Sequence, residues 1–286
     1  MKVVAHPTIS EFWQVAGALF TADPVRNTVA LTVLSRLLIG GRFSDTPPIF
    51  LTVHETGTDE VIGAALCTPP FPLAVSGLPV ETVDVVADHL VAAGIQLRGI
   101  SGMRTEVEAF VAAWAERTGV EPSGRMCQRL YELGELKPPV DVLGAATEGT
   151  VDDVGLLARW RADFLHEVGH FSPGDQSHGD LVRHAQDSLA AGNGQLIWRV
   201  DGEPVSFACV NSPHGGMSRI GPVYTPTECR GHDYGSAVTA AASRWGLAKG
   251  AEHVLLFTDL ANPVSNSIYQ KIGYVPVEDA LDVRFT

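Results

Sequence analysis

The sequence predicts an α/β fold, an α+β mixed sheet flanked by helices, built twice in tandem. Three observations predict it. Apolar residues recur at helical spacing in some segments and at strand spacing in others along the whole chain. Both halves follow the same outline of helix, helix, hairpin, helix and strand. Between them Lys137-Pro138-Pro139 stiffens the backbone and residues 143–151 are rich in small and polar side chains, which places a domain boundary after residue 137.

In the first half, residues 9–22 and 25–39 carry Phe12, Val15 and Leu19, then Val29, Val33 and Leu37, at helical spacing. Residues 49–53 and 61–66 read as strands joined by a turn at Gly57-Thr58-Asp59. Residues 80–93 and 106–117 are amphipathic helices that stop near Gly94 and Gly119, and residues 126–136 form a strand. The second half opens with a helix over 151–167 that carries Leu156, Leu157, Trp160 and Phe164 on one face, then a helix over 180–190. Strands follow at 194–199 and 205–210, joined by Asp201-Gly202, and at 217–224. A helix over 234–249, a strand over 253–258, a helix over 263–272 and a strand over 274–285 complete the chain.

The 286 residues suit two linked domains of ordinary size, and 45% hydrophobic content is enough for two cores. Twenty basic against 33 acidic residues give a net charge of −13. That surplus argues against nucleic acid and against an anionic membrane surface, and it is compatible with a cationic small molecule. Cys67, Cys127, Cys209 and Cys229 are widely spaced with no Cys-x-x-Cys pair, the pattern of a reducing compartment without a disulfide framework or a cysteine zinc site. The first residues lack the apolar core of a signal peptide. The charge-free stretch 61–80 contains Pro69, Pro70, Pro72 and Pro79, which break a spanning helix. The expectation is a cytoplasmic protein.

Two segments carry chemistry. Residues 220–237 read as strand, tight turn and helix, the helix opening with Gly235-Ser236. Such a turn presents unpaired backbone N–H groups at the positive end of a helix dipole, a site ready for a pyrophosphate. Gly231 and Gly235 have no Cβ to hold phosphates off the backbone. In residues 258–274, Asn262 is placed as an N-cap, Pro263 at the first helical position and Gly273 as the residue closing the helix. Tyr269 sits mid-helix. By itself it reads as a core tyrosine packed on Ile268 and Ile272.

In this order and about thirty residues apart, the two segments resemble the GNAT superfamily of acetyl-CoA-dependent N-acetyltransferases. The family's Arg/Gln-x-x-Gly-x-Gly/Ala turn falls on Arg230, Gly231, His232, Asp233, Tyr234 and Gly235, with Ser236 next in the helix. Its Asn-x-x-Ala-x-x-Leu-Tyr element falls on Asn262, Ser265, Ile268 and Tyr269, and Tyr-Gln-Lys-Ile-Gly-Tyr is similar to the family's Tyr-Glu-Lys-Leu-Gly-Phe. The resemblance covers about residues 145–286. It implies tandem GNAT-like domains, with residues 138–286 the acetyltransferase domain that carries the acetyl-CoA motif. Residues 1–137 would be a degenerate GNAT-like domain without a coenzyme motif. It implies acetyl-CoA as co-substrate, no metal, and an amine acceptor on a cationic small molecule or peptide, acetylated by direct attack in a ternary complex. Val223, Tyr224 and Thr225 would pair with the pantetheine arm, Asn262 would contact that arm, and Tyr269 would be the general acid.

One departure stands in the turn, where Asp233 replaces the family's middle glycine. A carboxylate there repels a pyrophosphate, and its Cβ crowds the turn unless the side chain faces solvent or caps the helix. A degenerate protein that binds acyl-CoA or a partner without turnover is the alternative reading. A third comes from His166-Glu167-Val168-Gly169-His170, which matches the zinc-protease string His-Glu-x-x-His. Gly169 interrupts that helix and His178 lies too far on for the extended zinc spacing, so a zinc hydrolase is remote. In GNAT folds the first two helices line the acceptor side, which makes Glu167 a candidate to recognise or deprotonate a substrate ammonium. Cys229, beside Arg230, has no triad partner in sequence and reads as packing. The acidity is uneven. Residues 141–187 hold nine acidic and three basic side chains, whereas 219–252 hold three and four. That split fits a cationic acceptor on one side and an anionic coenzyme on the other.

Overall fold

In a computed structural model that describes residues 1–168 and 177–285, two successive runs of elements share one order, short 3-10 turns aside. The first run is β1 (Lys2–Ala5), α1 (Ile9–Ala22), α2 (Thr28–Leu38), β2 (Ile49–His54), β3 (Val61–Cys67), β4 (Leu73–Ala74), α3 (Val83–Ala92), β5 (Gly99–Met103), α4 (Arg104–Thr118) and β6 (Pro122–Leu133). The second is β7 (Ala145–Glu148), α5 (Val154–Val168), α6 (His178–Ala190), β8 (Gly194–Val200), β9 (Glu203–Val210), β10 (Met217–Tyr224), α7 (Tyr234–Ala248), β11 (His253–Asp259), α8 (Pro263–Lys271) and β12 (Tyr274–Phe285). The elements foreseen from periodicity are present, with ends shifted by a few residues. Four short strands, β1, β4, β5 and β7, were not foreseen.

The chain divides into two compact units, one of residues 1–128 with the chain end from Glu278, the other of residues 129–277. The divide therefore falls inside β6 and inside β12, not after residue 137. The Lys137-Pro138-Pro139 break lies outside β6, which runs unbroken from Pro122 to Leu133.

In the first unit the strands lie in the order β1-β2-β3-β4-β5-β12-β6. Residues Ala280–Arg284 of β12 pair antiparallel with β5, and β4 pairs parallel with β5. Helix α3 buries Val83, Val86, Ala87 and Leu90, and α4 buries Val107, Phe110, Val111 and Trp114, each set one apolar stripe at helical spacing. The Arg26 guanidinium, between α1 and α2, bridges Glu106 of α4 at 2.7 Å and Glu278 of β12 at 2.9 Å.

In the second unit the order is β12-β6-β11-β10-β9-β8-β7. Successive strand residues face opposite sides. Leu196 and Ala208 join Val238, Ala242 and Trp245 of α7 and Ile272 in one core. Their neighbours Ile197 and Phe207 join Leu157 and Trp160 of α5 and Ala185 of α6 in another. Helix α7 is buried from Ser236 to Ser243 on every side, which explains its run of small residues. Thr150 with Asp153, and Ser177 with Asp180, form reciprocal capping boxes that start the helical segments α5 and α6. Among the described residues no helix is long and apolar enough to cross a membrane.

Gly273 closes α8 with φ of +105°, and its carbonyl accepts from the Gly134 N–H at 3.0 Å. A Cβ there would lie 1.9 Å from the Glu135 carbonyl oxygen. Gly273→Ala is expected to destabilise the chain by more than about 2 kcal/mol, because strain and backbone overlap act together. An unchanged urea midpoint would show that the 134–137 segment does not pack as described.

Candidate active site

The site is shaped by where two parallel strands part. Strand β10 pairs with β11 only from Met217↔His253 to Ile220↔Leu256. Beyond Ile220, β10 slips register on its other neighbour and continues along β9 to Val223↔Ala208 and Tyr224↔Phe207. Residues Val223 and Tyr224 thus keep a partner on one side only, a β10 edge left without β11.

After Thr225 comes the turn into α7. Gly231 has φ of +83° and Asp233 φ of +57°, both left-handed. Asp is among the few side chains that tolerate this region at low cost, so the Cβ at the family's glycine position fits. The Asp233 side chain makes no capping bond and is exposed, so of the two alternatives, facing solvent or capping the helix, it takes the first. The first helical bond is from the Ala237 N–H to the Asp233 carbonyl at 2.9 Å, which leaves the N–H groups of Tyr234, Gly235 and Ser236 outside the helical ladder. An added Cβ at Gly231 would meet no atom within 4 Å, whereas at Gly235 it would come to 3.3 Å from Thr225 Oγ1. Gly231 therefore leaves open space, and Gly235 is small for packing on Thr225, whose hydroxyl bonds Ser206 at 2.8 Å. The His232 and Tyr234 rings stack at 5.4 Å beside the turn.

Helix α8 forms the opposite wall. Asn262 caps it by accepting from the Ser265 N–H at 3.1 Å, with Pro263 in the first turn. Asn266 and Gln270 reach the buried Tyr131 hydroxyl of β6, at 3.0 and 3.1 Å, a network with no local pattern in the sequence. Tyr269 is 9% exposed and shares an apolar cluster with Ile220, Val238, Tyr274, Val223 and Ile268. Burial pushes its phenol up to about 12, so it keeps its proton at neutral pH. Tyr269 is thus a packed core tyrosine that keeps its proton.

On the other face, α5 lies against the end of β10. Trp160 packs on Phe207 and Tyr224, with ring centres 5.8 and 6.4 Å apart. Burial first, then the Asp163 and Glu167 carboxylates, raise the Tyr224 phenol above its ordinary range. Glu167 Oε1 accepts from Arg230 Nη2 at 2.5 Å, and Arg230 Nε donates to the Thr225 carbonyl at 3.0 Å. Two residues assigned to different substrates by sequence, Glu167 to the acceptor and Arg230 to the coenzyme, are thus bound to each other. No hydrogen bond joins Glu167 to Tyr269. Burial and then Glu228 raise the Cys229 thiol, opposite to what an activated thiol needs. Of the His-Glu-x-x-His string, Gly169 and His170 lie outside the described residues. Among the described residues no cluster of three metal-binding side chains occurs.

Residues 158–274 match the model of the acetyltransferase (GNAT) family. A mycothiol acetyltransferase of Arthrobacter sp. (strain FB24) is 30% identical over 207 residues, 66% of this chain and 62% of that protein. One from Acidothermus cellulolyticus is 27% identical, over 57% of this chain and 54% of that protein. The chain thus spans less than two thirds of these relatives. A GNAT-family acetyltransferase from Colwellia psychrerythraea superposes with a TM-score of 0.65 over 100% of both chains at 8% identity, and a tandem GNAT protein from the clavulanic acid biosynthesis pathway with 0.60 over 99% and 98% at 11%. At these identities the two structures establish the fold. Residues 158–274 thus carry the sequence signature of the GNAT family, in the second of two mixed α/β units in tandem.

Tyr131→Phe removes the hydroxyl that holds Asn266 and Gln270. The variant is expected to lose about 1–2 kcal/mol, read as faster amide exchange along α8 than along α7. Equal exchange in the two helices would show that the network does not anchor α8.

Proposed function

We propose that the second unit is an acetyl-CoA-dependent N-acetyltransferase that works by direct attack in a ternary complex. The observation that carries this is the β10 edge freed from β11 after Ile220, set between an open glycine turn at α7 and the buried Tyr269 of α8. An unpaired strand edge suits an extended amide-bearing arm, and the first turn of a helix suits a pyrophosphate. Arg230, Gly231, His232, Asp233, Tyr234, Gly235 and Ser236 would hold the pyrophosphate, and Val223, Tyr224 and Thr225 the pantetheine arm. Asn262 spends its carbonyl on the cap, which leaves its amide N–H groups for that arm.

Acetyl-CoA supplies an activated acyl group. The acceptor amine, once it has lost its proton, attacks the thioester carbonyl, so a C–N bond forms and the C–S bond breaks. A backbone N–H near Val223 donates to the carbonyl oxygen as charge grows there. Tyr269 donates to the departing sulfur. With a phenol at about 12 against an ordinary thiol near 8.5, full transfer to a solvated thiolate runs uphill by about 3 to 4 units. Tyr269 therefore acts first as a hydrogen-bond donor to a sulfur held in the same dry cluster. Asp163 and Glu167 give the acceptor side a negative field suited to an ammonium. Because relatives are named mycothiol acetyltransferases, an acceptor panel would start with mycothiol-related amines, ahead of other cationic amines and peptides.

The Asp233 carboxylate in the turn favours one competing reading, a coenzyme binder without turnover. Thermal shift with acetyl-CoA, followed by thiol release with the amine panel, separates the two. Binding with no thiol released by any amine supports the second.

Tyr269→Phe is expected to lower kcat by about 10²-fold or more with little change in the KM for acetyl-CoA. An unchanged kcat removes Tyr269 from the chemistry. Because the raised phenol keeps its proton well past pH 10, wild-type kcat should show no alkaline fall from this group below about pH 11. A descending limb near pH 9 that disappears in the Phe variant would contradict this.

A further inference from the structure

Arg230 already has partners. Its Nε is held by the Thr225 carbonyl at 3.0 Å and its Nη2 by the Glu167 carboxylate at 2.5 Å. The two side chains are 47% and 43% exposed, so the pair is open to solvent and not in the core. An ion pair so exposed adds little to folding, and a planar guanidinium fork binds carboxylate and phosphate in the same geometry. We propose that Glu167 competes with the coenzyme for Arg230, so that this ion pair is a latch between the acceptor-side helix α5 and the coenzyme turn. The inference rests on the coenzyme-binding reading of the second unit.

The electrostatics give the latch a direction. A pyrophosphate docked at the first turn of α7 puts negative charge beside Glu167 and offers Arg230 a more highly charged partner. Arg230 stays tethered through Nε to Thr225, so only the Nη side changes partner. Glu167, once released, adds its full charge to that of Asp163, one helical turn earlier, and of Glu228, the other carboxylates that act on the Tyr224 phenol. The acceptor side becomes more attractive to an ammonium only when the coenzyme is in place. By linkage the effect is mutual, since an ammonium that engages Glu167 frees Arg230 for the phosphates. Glu167 is in this respect a positioning residue, acting through Arg230.

The test is calorimetric titration of the full chain with coenzyme A. Glu167→Gln, which removes the competitor, is expected to tighten coenzyme A by about two- to fivefold, the range an exposed pair supports. Glu167→Ala should give a similar gain. Arg230→Gln should weaken binding, and adding Glu167→Gln to it should give no further gain. Asp163→Asn, on the same face but without a bond to Arg230, should leave the affinity within twofold of wild type. With an amine acceptor in hand, Glu167→Gln should lower the KM for acetyl-CoA and raise that of the amine. A purely structural Glu167 would weaken coenzyme A when lost, not tighten it. Unchanged or weaker binding in Glu167→Gln overturns the latch, as does an equal gain in the Arg230→Gln background. A wild-type chain that binds no coenzyme A overturns the reading of the unit as well.

Discussion

Much of the second unit depends on one limit, the parallel pairing of β10 with β11 that ends at Ile220 and Leu256. Backbone groups withdrawn from a ladder need other partners or water. Here the withdrawn edge belongs to a strand that is still held by β9 on its far side. The helices that follow each strand, α7 and α8, bury side chains in one core with Ile220 and Leu256. The open turn, the freed edge and Tyr269 are neighbours for that reason and not because they are close in sequence.

What the sequence made legible follows from range. Asn262, Pro263 and Gly273 act within one helix, through the bonds of a cap and the left-handed turn that closes it, and their residue types state this directly. Trp160, Leu157 and Phe207 announce burial by spacing. Arg230 with Glu167, and Tyr131 with Asn266, are pairs separated by 63 and 135 positions, and no local pattern encodes such a partnership. Strand β5, Gly-Ile-Ser-Gly-Met, was hidden for another reason. Two glycines and a serine give it no strand propensity, and it is a strand because β4 and β12 line its sides. The break at Pro138-Pro139 misled in the opposite sense, since a stiff exit from β6 has the composition of a linker.

The shared element order of the two runs allows each half to gauge the other. Before α3 the first half has Gly77-Leu78-Pro79 where the second has its glycine turn before α7. A Cβ on Gly77 would come 2.7 Å from the Ala64 carbonyl oxygen, and Val75 and Leu78 beside it are fully buried. Pro79 has no N–H to offer, and the Thr82 hydroxyl donates to its carbonyl at 2.6 Å. That approach to a helix is filled by its own side chains. Gly231, with nothing within 4 Å of an added Cβ, marks the opposite condition. A glycine before a helix is thus not a signal until its surroundings are known. Packing explains Gly77, whereas Gly231 combines a left-handed φ with open space around it.

The surroundings of Asp233 decide its meaning in the same way. As a departure from a glycine pattern it suggested a damaged turn, on grounds of both shape and charge. Shape is answered by its left-handed φ, which aspartate tolerates. Charge is a matter of balance over the whole turn. Near the first turn of α7 stand Asp233 and Glu228 against Arg230, and Arg230 is itself held by Glu167. The turn therefore offers an anion its backbone N–H groups and little net positive charge. On the proposed reading, coenzyme affinity would come chiefly from hydrogen bonds and the strand edge, and Arg230 would respond to what binds on the other side of β10. Where a turn has so little net positive charge, a single carboxylate on α5 that holds Arg230 would be enough to alter it.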